Sequence, residues 1–300
     1  MLAGMLLGLG ASACWALANV VVQRASLAIG PYRALLWSQL VGVAIVAAVG
    51  GVAVAVPGLA TGGWLPRLSP AVGVWIVVAG ASSLLGYACL FYAFAHGRLT
   101  LAVPIASSWA VLSAALALLL FDERLAPGQL AGAAAVIAGA VVVSRHAQKE
   151  SAGGGAPSGA RAGMPPWLLA SFGAALGFGV LIPAMGRLTP VFGSIGAIAV
   201  IYVADIALGL PLALAFRIGL RPPSRGAWPV VALAGLFETA GFACIALGGR
   251  LAPLAIVSPL ASLAAALTVA YAWAVMGERP SRGVLVGAAL VSAGVLVLAL

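Results

Sequence analysis

An all-α integral membrane protein, with ten transmembrane helices as two inverted five-helix repeats, is the fold this sequence predicts. Three observations lead there. Apolar residues make up 64% of the 300 and charged residues only 7%, with a mean hydropathy of +1.18; a soluble domain carries roughly 25% charged residues. Apolar stretches near the ~20 residues that a helix needs to cross hydrocarbon recur ten times along the chain. They fall into two sets of five that resemble each other, and an odd number of crossings per unit turns the second copy upside down relative to the first.

In chain order the expected spans are 3–23, 33–56, 71–95, 99–121 and 128–145, then 166–186, 192–216, 227–248, 253–276 and 282–300. Helices are expected because a lone strand leaves its backbone polar groups unpaired in lipid. The short alternating segments of a β-barrel are not what this chain displays. Met1 to Gly10 runs into the first span without a basic region, so no cleaved signal peptide is expected. The two halves, 1–145 and 166–300, are joined by 146–165, a Gly-rich, basic stretch read as a flexible linker. The 39 glycines suit close helix approach in a bilayer.

The duplication is visible in register. Pro104, Glu123-Arg124, Gly128, Gly132 and Gly139 match Pro259, Glu278-Arg279, Gly283, Gly287 and Gly294 at a constant offset of 155. Upstream, Gly97-Arg98-Leu99 matches Gly249-Arg250-Leu251 at an offset of 152. Net charge is +9 and the pI about 10.5, yet the basic residues stand singly between apolar runs. That is the pattern of orientation signals, and no nucleic-acid partner is expected. Eleven Lys and Arg fall in the loops after odd spans and four in those after even spans, so the odd loops are expected in the cytoplasm and both termini outside. Trp64, Trp75, Trp167, Trp228 and Trp273 sit near span ends, as an interfacial belt would.

Few residues can carry chemistry. Asp205 and Glu238 are the acids that fall within predicted spans. Burying such a charge alone costs roughly 2.5–3.5 kcal/mol on insertion scales. Each is therefore a candidate for proton coupling or for holding a substrate ammonium, against the plainer alternative of a hydrogen-bonded packing group. Ser12, Trp15, Asn19 and Gln23 share one face of the first span. Ser83, Tyr87, Phe91 and Phe94 form a similar stripe in the third. Together with Trp109, Phe178, Tyr202 and Ser262 they would wall a cavity with aromatic rings and a few hydroxyl and amide groups; ordinary interior packing is the alternative. Pro104 and Pro259 kink their helices in equivalent places, as gates or as static bends. Glu123-Arg124 and Glu278-Arg279 read more readily as anchors at span ends than as a gate salt bridge. Cys14, Cys89 and Cys244 lack the spacing of a metal site. His96 and His146 stand at span edges. No Walker A, dinucleotide or zinc-protease motif occurs, so no cofactor is expected and no enzyme activity.

A proline-bearing helix, then Asp/Gly-Glu-Arg, then a short Gly-rich helix, twice over, resembles the EamA repeat of the drug/metabolite transporter superfamily. Asp122 departs from the glycine usual at its place. The resemblance covers essentially the whole chain. It implies two EamA-like five-helix repeats around a central cavity and outward movement of small metabolites, often amino acids, across a bacterial-type inner membrane. In size and aromatic placement the chain is similar to YddG-type aromatic amino acid exporters. The expected partners are a small-molecule substrate and the bilayer, the expected unit a monomer. The expected cavity is lined by spans 1, 3, 4, 6, 8 and 9, with spans 5 and 10 behind it. A channel, or the same carrier fold with a cationic drug or sugar-like cargo, is the rival reading.

Overall fold

The computed structural model describes residues 1–55, 69–120, 126–152, 164–252, 257 and 260–298. Its helices are α1 (Leu2–Ile29), α2 (Pro31–Ala55), α3 (Pro70–His96), α4 (Leu99–Ala106), α5 (Trp109–Leu120), α6 (Pro127–Ala152), α7 (Pro166–Ala215), α8 (Trp228–Leu251), α9 (Ala264–Ala274) and α10 (Arg282–Leu298). Among the described residues there is no strand. Large apolar side chains such as Leu6, Val74, Leu85, Leu130, Leu176 and Leu236 stand on the outside, which is where hydrocarbon replaces water as solvent.

Two expected spans are joined in α7. Its 50 residues would reach about 75 Å as one rod, against a hydrocarbon core of ~30 Å. The rod breaks at Gly193, whose φ of 70° and ψ of 169° are non-helical and suit a residue without Cβ. The connection expected over 187–191 is thus helical, and a single glycine makes the turn two residues later. The expected fourth span is instead two helices. Pro104 supplies no N–H, and the chain tightens after it: Ser107 N donates to Val103 O at 2.9 Å and Ser108 N to Ile105 O at 3.1 Å. The Ser107 and Ser108 hydroxyls bond the same two carbonyls at 2.9 and 2.7 Å. Helix resumes at Trp109. In the second repeat Leu263 N donates to Leu260 O at 3.4 Å and helix resumes at Ala264, the same break at the offset of 155. Pro259 lies outside the described residues, as do Asp122, Glu123 and Arg124. At the other boundary α6 continues seven residues past Arg145, to Ala152, into the stretch read as linker.

The inversion shows in the α6–α10 contact. A Cβ on Gly132 would meet Gly294 O at 2.8 Å, and one on Gly139 would meet Gly287 O at 2.5 Å. The two helices therefore run antiparallel. Adding 155 to either glycine of α6 gives a glycine of α10, so the pairing maps onto itself under a twofold exchange of the repeats. The other large contacts are exchanged in the same way. α1 packs along α8, and its counterpart, the first part of α7, packs along α3. Phe178 lies on Gly86 and Trp167 on Gly97; Trp15 lies on Gly241. In each case a glycine admits a ring from the other repeat.

Candidate functional site

A cleft at the junction of the repeats is lined by Val22 of α1, Ser38 and Gln39 of α2, Tyr87 and Phe91 of α3, Tyr202 of α7, and Ala234, Gly235 and Glu238 of α8. The Tyr87 hydroxyl donates to Glu238 Oε1 at 2.5 Å, a bond from the first repeat to the second. Tyr87 is held edge-on by Phe178, ring centroids 4.9 Å apart, and by Phe91 at 6.3 Å. Tyr202 is buried with its hydroxyl 3.4 Å from Thr239 Oγ1. Its ring fits only because residue 42 is glycine: a Cβ there would meet Tyr202 Cε2 at 2.6 Å. The space left among these side chains is about 10 Å³, enough for one water and far below the ~300 Å³ of a small-molecule pocket. As the described residues stand, this cleft is therefore closed to a small molecule.

Asp205 lies behind this cleft, fully buried. Gln39 Nε2 donates to its Oδ2 at 2.9 Å and the Ser83 hydroxyl donates to the same oxygen at 2.8 Å. Its Oδ1 has no hydrogen-bond partner. Gln39 thus touches both the cleft and Asp205. Neither carboxylate has a basic side chain as hydrogen-bond partner among the described residues. No group of three or more His, Cys, Asp or Glu suited to a metal occurs there either.

Of the residues singled out from sequence, Tyr87, Phe91, Tyr202 and Glu238 come together in the cleft. Phe178 stands one ring behind, against Tyr87. Trp15 packs edge-on to Phe242 at 5.3 Å, with its Nε1 buried and unpartnered. Asn19 donates to Thr268 Oγ1 of α9 at 3.0 Å. Trp109 opens α5, and Ser262 sits in the turn before α9. Pro104 is buried within α4. These five, like Phe178, lie outside the cleft's lining in this conformation. Among the described residues the walls come from the first, second, third, seventh and eighth crossings, so the second and seventh join those expected. Small residues explain the difference: Gly42 admits Tyr202, and a Cβ on Gly80 would meet Ala204 Cβ at 2.5 Å, drawing α2 and the second part of α7 inward. Gln39 and Ser38 were not singled out. Their signal was an amide and a hydroxyl side by side in the first third of an apolar span.

Two broken-helix repeats of opposite direction, meeting at a small polar cleft that both line, define an integral membrane fold of two inverted repeats. The sequence matches the model of the EamA-like transporter family over residues 2–145 and 165–300. The chain belongs to that family and is a multi-pass membrane transporter. No curated protein matches it. Sixteen solved chains do. One of them, described as "Crystal structure of protein", is 19% identical with a TM-score of 0.63, over 98% of this chain and 96% of its own. At that identity the likeness speaks for the fold alone.

Proposed function

We propose that the protein is a secondary carrier that exports small amphipathic metabolites across a bacterial-type inner membrane by alternating access, with aromatic or hydrophobic amino acids as the cargo. The Tyr87–Glu238 bond is the observation that carries this reading. It places a carboxylate, a phenol and a second phenol at the contact between the repeats, the position that alternating access exposes to each side in turn. An ammonium can take the place of the Tyr87 hydroxyl on Glu238. Tyr87, Phe91 and Tyr202 offer an aromatic wall for an apolar body. Opening the cleft by rocking the repeats apart is required before any amino acid fits. The carboxylate is also suited to bind a proton in exchange for the cargo.

One observation favours a narrower cargo. Among the described residues the lining offers a carboxylate but no basic side chain, so an amine lacking a carboxyl group is served as well as a zwitterion. Purified protein in liposomes loaded with a panel of amino acids and their decarboxylated amines, with and without a pH gradient, tests both. Saturable counterflow of an aromatic amino acid is expected. Flux of amines alone replaces the amino acid reading with the narrower one. Absence of flux for the whole panel sinks both.

A further inference from the structure

We infer that Glu278 is a positioning residue for transport: it latches the half-helix α4 to the opposite repeat and so holds one membrane face closed. The face is the one bearing the Gly97-Arg98 turn.

α4 needs help at its start. An α-helix leaves its first amides without internal acceptors. In α4, Leu101 N and Ala102 N both donate to Arg98 O, at 3.0 and 2.9 Å. That leaves Leu99 N and Thr100 N. The cap position is Arg98, whose guanidinium accepts nothing, and all eight residues of α4 are buried, so water is no substitute. The acceptor is imported. Glu278 Oε1 accepts from Leu99 N at 3.0 Å, and Oε2 accepts from Thr100 N at 2.9 Å and from the Thr100 hydroxyl at 2.6 Å. A carboxylate at a helix N-terminus is favoured by the helix dipole as well as by these bonds.

Glu278 is itself aimed by the end of α9. Gly277 takes a φ of 74°, and Glu278 N donates back to Ala272 O at 3.1 Å. The positive φ at Gly277, two residues past the C-cap Val275, lets the chain turn back at the end of α9. Gly277-Glu278 is therefore one device: the glycine turns the chain and the glutamate reaches the other repeat. The motif residue read as an anchor for its own span is an anchor for a different one.

Two further contacts lie at the same face, the first within one repeat and the second between the repeats. Gln23 Nε2 of α1 donates to Phe94 O at 3.0 Å and to Gly97 O at 3.4 Å. Trp167 covers Gly97. Between them α4 is a lever about 12 Å long. It is pinned at Leu99 and Thr100 and jointed at Ser107–Ser108, where the helix is broken. Val103, on that lever, belongs to the same buried cluster as Tyr87 and Phe91 of the cleft. Because a latch of this kind matters only in a carrier whose two faces open in turn, its role in transport rests on the function proposed above. Its effect on access does not require knowing the cargo.

The test uses full-length protein in oriented vesicles, with Cys14, Cys89 and Cys244 replaced by alanine and Val103→Cys added. A membrane-impermeant maleimide is applied from the face of the Gly97-Arg98 turn. Loss of a helix cap is worth enough to shift a two-state population by roughly 5- to 30-fold. Glu278→Ala is therefore expected to speed labelling by about that factor, and Glu278→Asp to speed it less. Labelling from the opposite face should not rise. Should Glu278→Ala not fold, Thr100→Val removes one of the three bonds and is expected to give a smaller rise in the same direction. Unchanged labelling in a folded variant overturns the latch. An equal rise from both faces overturns it too, since that is general loosening. Faster one-sided labelling in a protein that moves none of the panel above upholds the latch and removes the cargo assignment.

Discussion

Asp205 and Glu238 are both acids within apolar helices, yet their surroundings differ in kind. Asp205 is sealed where α2, α3 and the second part of α7 meet, and two neutral donors converge on one of its oxygens. Gly80 and Gly42 hold the surrounding helices close. Glu238 is half-buried, receives one bond, and receives it from a side chain of the other repeat that also lines the cleft. The first environment fixes a carboxylate in place. The second lets a carboxylate exchange one partner for another without disturbing a helix seam. A buried charge is costly in either setting; under the function proposed above, it is Glu238 that would release that cost when an ammonium or a proton arrives.

The sharpest way to break this contrast is to neutralise each acid in turn. Glu238→Gln is expected to lower counterflow by more than about tenfold, a change of ~1.4 kcal/mol in the transport barrier, and to abolish any response to a pH gradient. Asp205→Asn keeps an acceptor for Gln39 and Ser83 and should retain most of the flux. Rates measured in liposomes at matched protein content decide it. Equal losses from both substitutions would mean that the two acids act as one unit through Gln39.

Stability should rank them the other way. Asp205→Ala leaves Gln39 and Ser83 as buried donors without their acceptor, at about 1–3 kcal/mol for each unsatisfied group. Glu238→Ala strands only the Tyr87 hydroxyl beside a cleft large enough for a water. Thermal unfolding in detergent is expected to show the lower midpoint for Asp205→Ala. A lower midpoint for Glu238→Ala would make Glu238 the structural acid of the two.

How far this was readable beforehand depends on what each feature rests on. The crossings and the duplication follow from apolar run length and from the register of Pro104, Gly132 and Gly139 with their counterparts, all local properties. Tyr87, Tyr202 and Glu238 stood out as polar or aromatic groups deep in spans. Their meeting did not, because it depends on which helix faces which, and that is set by the glycines that admit a ring or a backbone. Gln39 escaped notice for the same reason: alone it is one amide, and only its contact with Asp205 makes it part of a site. The break in the fourth crossing falls three residues beyond Pro104, where two serine hydroxyls add second bonds to carbonyls that the serine amides already hold. Proline alone indicates a bend but not that position. Gly277-Glu278 looked like the end of one helix because its partner lies 178 residues upstream in the other repeat.

A scaffold control separates packing from transport. Gly139→Val puts branched carbons where Gly287 O already lies 2.5 Å from an added Cβ. Overpacking of this kind costs about 1–3 kcal/mol. The unfolding midpoint should fall while the KM of the surviving carrier stays within about twofold, since no residue of α6 or α10 lines the cleft. A large rise in KM would show that the α6–α10 seam sets the shape of the site after all.

The smallest effect is expected at Trp15. Its ring packs edge-on to Phe242, and its Nε1–H is buried without an acceptor. Trp15→Phe keeps an aromatic edge against Phe242 and removes the orphaned donor, so two changes oppose each other: lost contact area destabilises, and a relieved unpaired N–H stabilises. The net shift in stability should lie within about 1 kcal/mol. The informative measurement is the KM for the preferred cargo. Trp15 adjoins Gly241, one turn of α8 beyond Glu238, so an opened cleft would bring that N–H within reach of a bound carboxylate. If the cargo is an amino acid, Trp15→Phe raises its KM and leaves that of the matching decarboxylated amine unchanged. Equal values for both cargoes would confine Trp15 to packing and shift the balance toward an amine carrier organised around Glu238 alone.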